Sequence, residues 1–252
     1  MKKIKLINKF IIIILYIISI MVIIITYKGI KTNSEINNFI NRGEFVFEID
    51  NVKYYKVSRK FDYEDSRKVL NLNNPNFVGT KGDIYLTSRN PVAGSLIFKK
   101  LSDLIWIGHA GMVINDDATK TIETTGNDVN NQNYVRILDN TWAKDSLENT
   151  KEYAVLRVKS ITEEDIDKVI ETSIGKIGSN YNYLFLLNTK NKYYCTDLIS
   201  RSYRENNINI SNGILATTGS DIILNNNTYL VYYRLRVTEG KSVYYKVYYL
   251  EW

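Results

Sequence analysis

Apolar and polar positions divide the chain into a long uncharged run at the N-terminus and then a series of shorter periodic segments. The run "FIIIILYIISIMVIIITY" covers residues 10 to 27 without a charge. At about 1.5 Å per residue a helix of this length spans about 27 Å, close to the hydrocarbon thickness of a bilayer. Residues 31 to 42 are polar and predict a juxtamembrane linker or short helix. "EFVFEIDNVKYYKVSR", 44 to 59, alternates about Asp50-Asn51 and predicts a hairpin. Residues 60 to 78 are polar and Asn-rich, and predict a loop. "GDIYLTS", 82 to 88, opens a strand. "VAGSLIFKKLSDLIW", 92 to 106, has helical spacing in Leu96, Ile97, Leu101, Leu104 and Ile105.

Two short strands follow, "HAGMVI" and "KTIETT", flanking a turn-rich Asn115-Asp116-Asp117-Ala118. "EYAVLRV", 152 to 158, is a further strand. "TEEDIDKVIETSIGKIG" begins with the N-cap candidate Thr162 and acids in the first turn. It places Ile166, Val169, Ile170, Ile174 and Ile177 on one face. "CTDLISRSYRENN" predicts a second helix with Leu198, Ile199 and Ser202/Tyr203 inward. The last 25 residues, from Thr228, predict a hairpin about Glu239-Gly240. The pattern is α+β, an antiparallel sheet with helices packed on it.

Charge sharpens the reading of the N-terminus. Residues 1 to 31 contain Lys2, Lys3, Lys5, Lys9, Lys28 and Lys31 and no acid. The formal charge of +6 therefore resides there, and residues 32 to 252 balance at 27 basic and 27 acidic. A phosphate-binding surface needs clustered, unbalanced Lys and Arg, so nucleic acid is set aside as a partner. Four lysines precede the apolar run and two follow it, which predicts a cytoplasmic N-terminus and an extracellular remainder. A cleaved signal peptide would have a shorter apolar core and a small-x-small site. This run ends in Ile-Thr-Tyr-Lys-Gly, which favours an uncleaved single-pass anchor in the cell membrane. Membrane lipid is then the partner of residues 10–27.

The chain has one cysteine, Cys195, and one histidine, His109. A lone cysteine makes no internal disulfide, and most free cysteines are small buried hydrophobes. Cys195 opens a predicted helix, however, where orphan N–H groups and the positive helix end favour a sulfur anion. Nucleophilic cysteines are activated by that position together with an imidazole. A hairpin turning about Asp116 would set His109 directly opposite Glu123. The carboxylate could then fix the imidazole tautomer and leave the other nitrogen as a base. A slip of one residue would send Glu123 to the other face. A surface His beside a surface Glu is the bland alternative. One His and one Cys do not make a zinc set, so neither metal nor cofactor is expected.

Taken in order, "GDIYLTS", "GHAGMVI" with "IETTG", "IGSNYNYLF" and "YYCTDLISRSY" resemble the circularly permuted branch of NlpC-like papain-fold cysteine hydrolases. In that branch the His strand precedes the Cys helix, and the resemblance covers about 82 to 224. It implies a permuted papain-like fold and a thiol hydrolase or acyltransferase acting on amide or ester bonds. By position it implies Cys195 as nucleophile, His109 as base and Glu123 as the orienting group. Tyr181 resembles a tyrosine that helps polarise the reacting carbonyl. "SDIIL", 220 to 224, resembles the family's closing "P-x-D-L", without the proline. The chain is thereby divided into 1–30, tail and transmembrane anchor; 31–80, linker and hairpin; and 81–252, catalytic domain.

The leading functional expectation is a membrane-anchored cysteine hydrolase that cleaves an amide bond in cell-wall peptide. A lipid esterase or acyltransferase is the alternative. The apolar helix at 92 to 106 would suit a lipid, although core packing explains the same spacing. A non-catalytic anchored binding domain is the third reading.

Overall fold

The computed structural model describes residues 2–71, 74–89, 95–126, 130–143, 152–185 and 189–252. In chain order the elements are α1 (Lys2–Ile40), β1 (Gly43–Ile49), β2 (Val52–Val57), β3 (Ile84–Thr87), α2 (Leu96–Ile105), β4 (His109–Val113) and β5 (Lys120–Thr124). They continue with β6 (Val135–Asp139), β7 (Glu152–Val158), α3 (Glu163–Ile174), β8 (Asn180–Tyr181), β9 (Lys192–Tyr193) and α4 (Cys195–Arg204). The last are α5 (Gly219–Ile223), β10 (Thr228–Glu239) and β11 (Ser242–Leu250). Residues 72–73 of the expected loop and 92–94 of the expected helix lie outside the described residues.

Among the described residues nine strands form one sheet in the order β1-β2-β11-β10-β7-β3-β4-β5-β6, and β8 and β9 make a separate parallel pair. Every contact in the large sheet is antiparallel except β2 with β11. The central strands β3, β4 and β7 are buried at almost every position, whereas the edge strands β1 and β6 alternate or stand exposed. That contrast follows from position: helices and loops cover the middle of the sheet on both faces, and the edges meet water.

The first hairpin turns through Asp50 and Asn51, both at positive φ, the backbone a two-residue turn of this hand requires. Its second strand pairs with β11 over Val52–Val57, so residues 43–57 belong to the main sheet. The polar loop after it is tied down by charge. Arg157, buried on β7, holds Asp83 through Nε and Nη2 at 2.8 Å each, and reaches Asp65 in the loop at 2.6 Å. Much of the tyrosine content is structural: Tyr232, Tyr233, Tyr248 and Tyr249 are buried, and Tyr55 stacks on Tyr248 at 4.6 Å.

The structure refines three expectations. Of the two readings of residues 31 to 42, linker or short helix, the helical one holds as far as Ile40, as the continuation of α1 with Ile36 and Phe39 in the core. On α3, Ile166, Val169 and Ile170 are buried, but Ser173 takes the next inward position. The helix ends at Ile174, which like Ile177 is exposed. On α2, Ile105 and Ser102 turn inward while Leu96, Ile97 and Phe98 are exposed.

Candidate active site

His109 begins β4, just after α2. The connection is tight. Trp106 closes α2 in the left-handed region at φ 54° and accepts a hydrogen bond from the Gly219 amide at 2.8 Å. Two residues on, a Cβ at Gly108 would lie 2.4 Å from the Thr87 carbonyl oxygen and 2.5 Å from the Arg89 backbone. Only glycine fits there, and this sets His109 at the mouth of the sheet rather than within it.

The β4–β5 hairpin turns one residue later than expected. Gly111, not His109, lies opposite Glu123, so the register is displaced by two positions. Side chains on a strand alternate with a period of two, and the displacement leaves Glu123 on the same face as His109. The pair forms on the diagonal, with His109 Nε2 2.7 Å from Glu123 Oε2.

The carboxylate is held at both oxygens. Glu123 Oε1 accepts from Thr121 Oγ1 at 2.7 Å and from Trp142 Nε1 at 3.1 Å. Burial alone would raise its pKa. The His109 hydrogen bond and charge, with Thr121 and Trp142, more than offset that and hold Glu123 below the ordinary carboxylate range. Trp142 also stacks on the imidazole, with ring centroids 5.0 Å apart and planes within 8°. It lies where a Cβ on Gly111 would meet it at 2.9 Å, so the second glycine of "GHAG" makes room for the indole. Thr121 and Trp142 were missed from sequence. Thr121 sits two residues before Glu123 on the same strand face, a usable signal; Trp142 comes from beyond β6 and has no local one.

Cys195 is the first residue of α4, which packs on β4 and β5. No side chain caps this helix, so its first-turn N–H groups remain available to an anion beside the sulfur. The helix start is anchored from its flanks instead. Tyr194 Oη accepts from the Thr217 amide at 2.6 Å, and Thr196 Oγ1 donates to the Thr217 carbonyl at 2.7 Å. Cys195 is buried and lies near enough to His109 to raise the affinity of the imidazole for a proton. Glu123 occupies Nε2, which leaves Nδ1 for the sulfur. Burial would lower the imidazole pKa, but the Cys195 and Glu123 partners reverse this and push it up to about 10. His109 keeps 25% of its side-chain surface against 7% for Glu123, so the imidazole and not the carboxylate faces the opening.

Tyr181 lies on β8, whose partner strand β9 runs directly into Cys195. Its ring rests on Gly126, where a Cβ would come within 2.5 Å. Burial first, and then the charge of the nearby Cys195, raise the phenol pKa well above its usual value, so the group is a hydrogen-bond donor at neutral pH. The structure thus brings together all four residues singled out from sequence.

Residues 78–246 match the model of the permuted papain-like amidases, the YaeF/YiiX or C92 family. The chain belongs to this family. Both His109 and Cys195 lie within the matched residues. Among solved structures, the metalloprotein YiiX from Escherichia coli O157:H7 is similar at 15% identity and a TM-score of 0.46. That similarity covers 60% of this chain and 96% of that one. No curated protein matches. The hairpin at 43–57 and all of α1 lie outside the matched region of this permuted papain-like amidase.

Proposed function

We propose that the chain is a membrane-anchored cysteine hydrolase that cleaves an amide bond in cell-wall peptide through Cys195, His109 and Glu123. The observation that carries this is the hydrogen bond from His109 to a carboxylate fixed at both oxygens, beside a buried cysteine at the head of a helix. The amide bond is supported by the family, and the location by a helix long and apolar enough to cross a membrane, with its lysines before the run.

His109 takes the thiol proton at Nδ1, and the sulfur attacks the acyl carbon. The oxyanion that forms is held by first-turn N–H groups of α4 and by the Tyr181 hydroxyl. His109 then gives its proton to the leaving nitrogen as the C–N bond breaks, which leaves an acyl thioester on Cys195. A water deprotonated by His109 attacks that thioester, releases the carboxylate and restores the thiol. Glu123 orients the imidazole and stabilises its positive charge throughout.

Hydrolysis of a lipid ester, or acyl transfer from one, is the second reading, favoured by the exposed Leu96, Ile97 and Phe98 on α2. The full chain in detergent, assayed in parallel on peptidoglycan fragments and on phospholipids, separates the two. Turnover of the peptide, abolished by Cys195→Ala, is expected. Turnover of phospholipid alone would favour the second reading. Activity that survives Cys195→Ala, or none on either substrate, would contradict the mechanism.

A further inference from the structure

Residues 11–24 of α1 stand exposed, and contact with the folded domain begins near the end of the apolar run, where Ile25 is partly buried. Lys28 pairs with Asp221 on α5 at 2.8 Å, Thr32 bonds Ser220 at 2.9 Å, and Gly29 lies so close to α2 that a Cβ there would come within 2.1 Å of Leu104. The domain is therefore clamped to α1 immediately beyond Tyr27.

Two clusters of large apolar side chains stand exposed beside this clamp. The first is the free end of α2, where Leu96, Ile97 (72% exposed) and Phe98 precede exposed Lys99 and Lys100. Leu96 is eight residues from Leu104, about 12 Å along the helix. The cluster therefore lies within about 12 Å of the point where α2 meets α1 at the end of the apolar run. The second is Ile214 (90% exposed) with Leu215, just before Thr218, the N-cap of the α5 that grips α1. Apolar side chains backed by lysines are what a segment lying in an anionic lipid interface carries. Thr217, between this loop and α5, bonds the residues on both sides of Cys195.

We propose that the free end of α2 and the 214–215 loop form a second membrane contact, lying in the interface of the same bilayer that holds α1 and fixing the Cys195 site at the lipid surface. This rests on the reading of α1 as a transmembrane anchor. Its occupant is the lipid interface; the clusters flank α1 on two elements and do not form one groove for a peptide.

The test uses the full chain reconstituted in phosphatidylcholine–phosphatidylglycerol vesicles. Cys195→Ser removes the native thiol, and a single cysteine at Ile97, or separately at Leu215, carries an environment-sensitive fluorophore. The expected result is emission shifted to the blue at both positions and quenched by spin-labelled acyl chains. Replacing Lys99 and Lys100 by Gln should reduce that quenching in vesicles containing phosphatidylglycerol. Water-like, unquenched emission from a chain that resists alkaline carbonate extraction would overturn the second contact alone. A chain that carbonate extracts would overturn the anchor reading, and this proposal with it.

Discussion

At the scale of single residues, Glu123 does the work of tuning. Among the described residues it is the carboxylate that bonds the imidazole, and its two other donors hold its orientation. Glu123→Gln keeps the size but removes the charge that raises His109, and its single amide oxygen can accept on one side only. The positive imidazole exists below its pKa, so the alkaline limb of the pH–rate profile should lie near 10 in the parent enzyme. In the variant it should move toward the ordinary imidazole value of about 6.5, with a loss of kcat/KM of about 10²-fold, the order positioned acid–base groups contribute. An alkaline limb that does not move would remove Glu123 from the account. His109 and Glu123 were legible as a pair from sequence despite the wrong register, because a two-residue error on a strand preserves the face. The same tolerance would not have survived an error of one.

Asp197 shows a different use of burial. It lies in the first turn of α4, fully buried, with Arg201 3.5 Å away as a loose ion pair. Burial outweighs that cation and raises its pKa to about 6. The folded state therefore binds this proton more tightly than the unfolded chain does. Stability from this group is greatest below the unfolded value near 3.8, and it is lost as pH rises through about 6. Above that the charged group costs about 3 kcal/mol. Asp197→Asn should raise the denaturation free energy at pH 8 by up to that amount and change it little at pH 4. A destabilised variant at pH 8 would mean that the carboxylate is favourably paired.

At the scale of elements, the junction of α1 with α2 and α5 is the informative feature. Gly29 leaves no room for a side chain against Leu104. Gly29→Leu overpacks the crossing, a change that typically costs about 1–3 kcal/mol. Because α1 is also held by Lys28 and Thr32, the expected consequence is local: faster hydrogen exchange over 96–105 and 219–223, with the sheet unaffected. Unchanged exchange in those helices would show that the contact is dispensable. Sequence periodicity located α2 but left open which of its apolar residues turn inward. Leu96 and Ile97 carry the same spacing whether a helix end packs on a core or projects beyond it, and only the position of α1 distinguishes the two. The short α5 escaped as an element, although its motif "SDIIL" was noticed, because five residues are too few to show a period.

At the scale of the whole molecule, the hairpin at 43–57 completes a sheet whose other strands lie within the matched family region apart from the last residues of β11. It covers β11 with a parallel strand, and β11 would otherwise present a long Tyr-rich edge. Deleting residues 43–57 should leave the Cys195 site intact in principle but yield an aggregating protein. A soluble, active deletion variant, measured by size-exclusion chromatography and turnover, would show that the hairpin is an accessory. The hairpin itself was legible from its alternation and its Asp-Asn turn. Its parallel pairing with a strand nearly two hundred residues away was not, since no local pattern encodes a long-range partner.

The chemistry rests on an activated sulfur, and the most direct measurement is the rate of Cys195 alkylation by iodoacetamide as a function of pH, in the parent chain and in His109→Ala. With His109 serving the sulfur as its base, the parent should be alkylated about tenfold or more faster than the variant at neutral pH. Superimposable profiles for the two proteins would show that the thiol is a buried bystander and contradict the account.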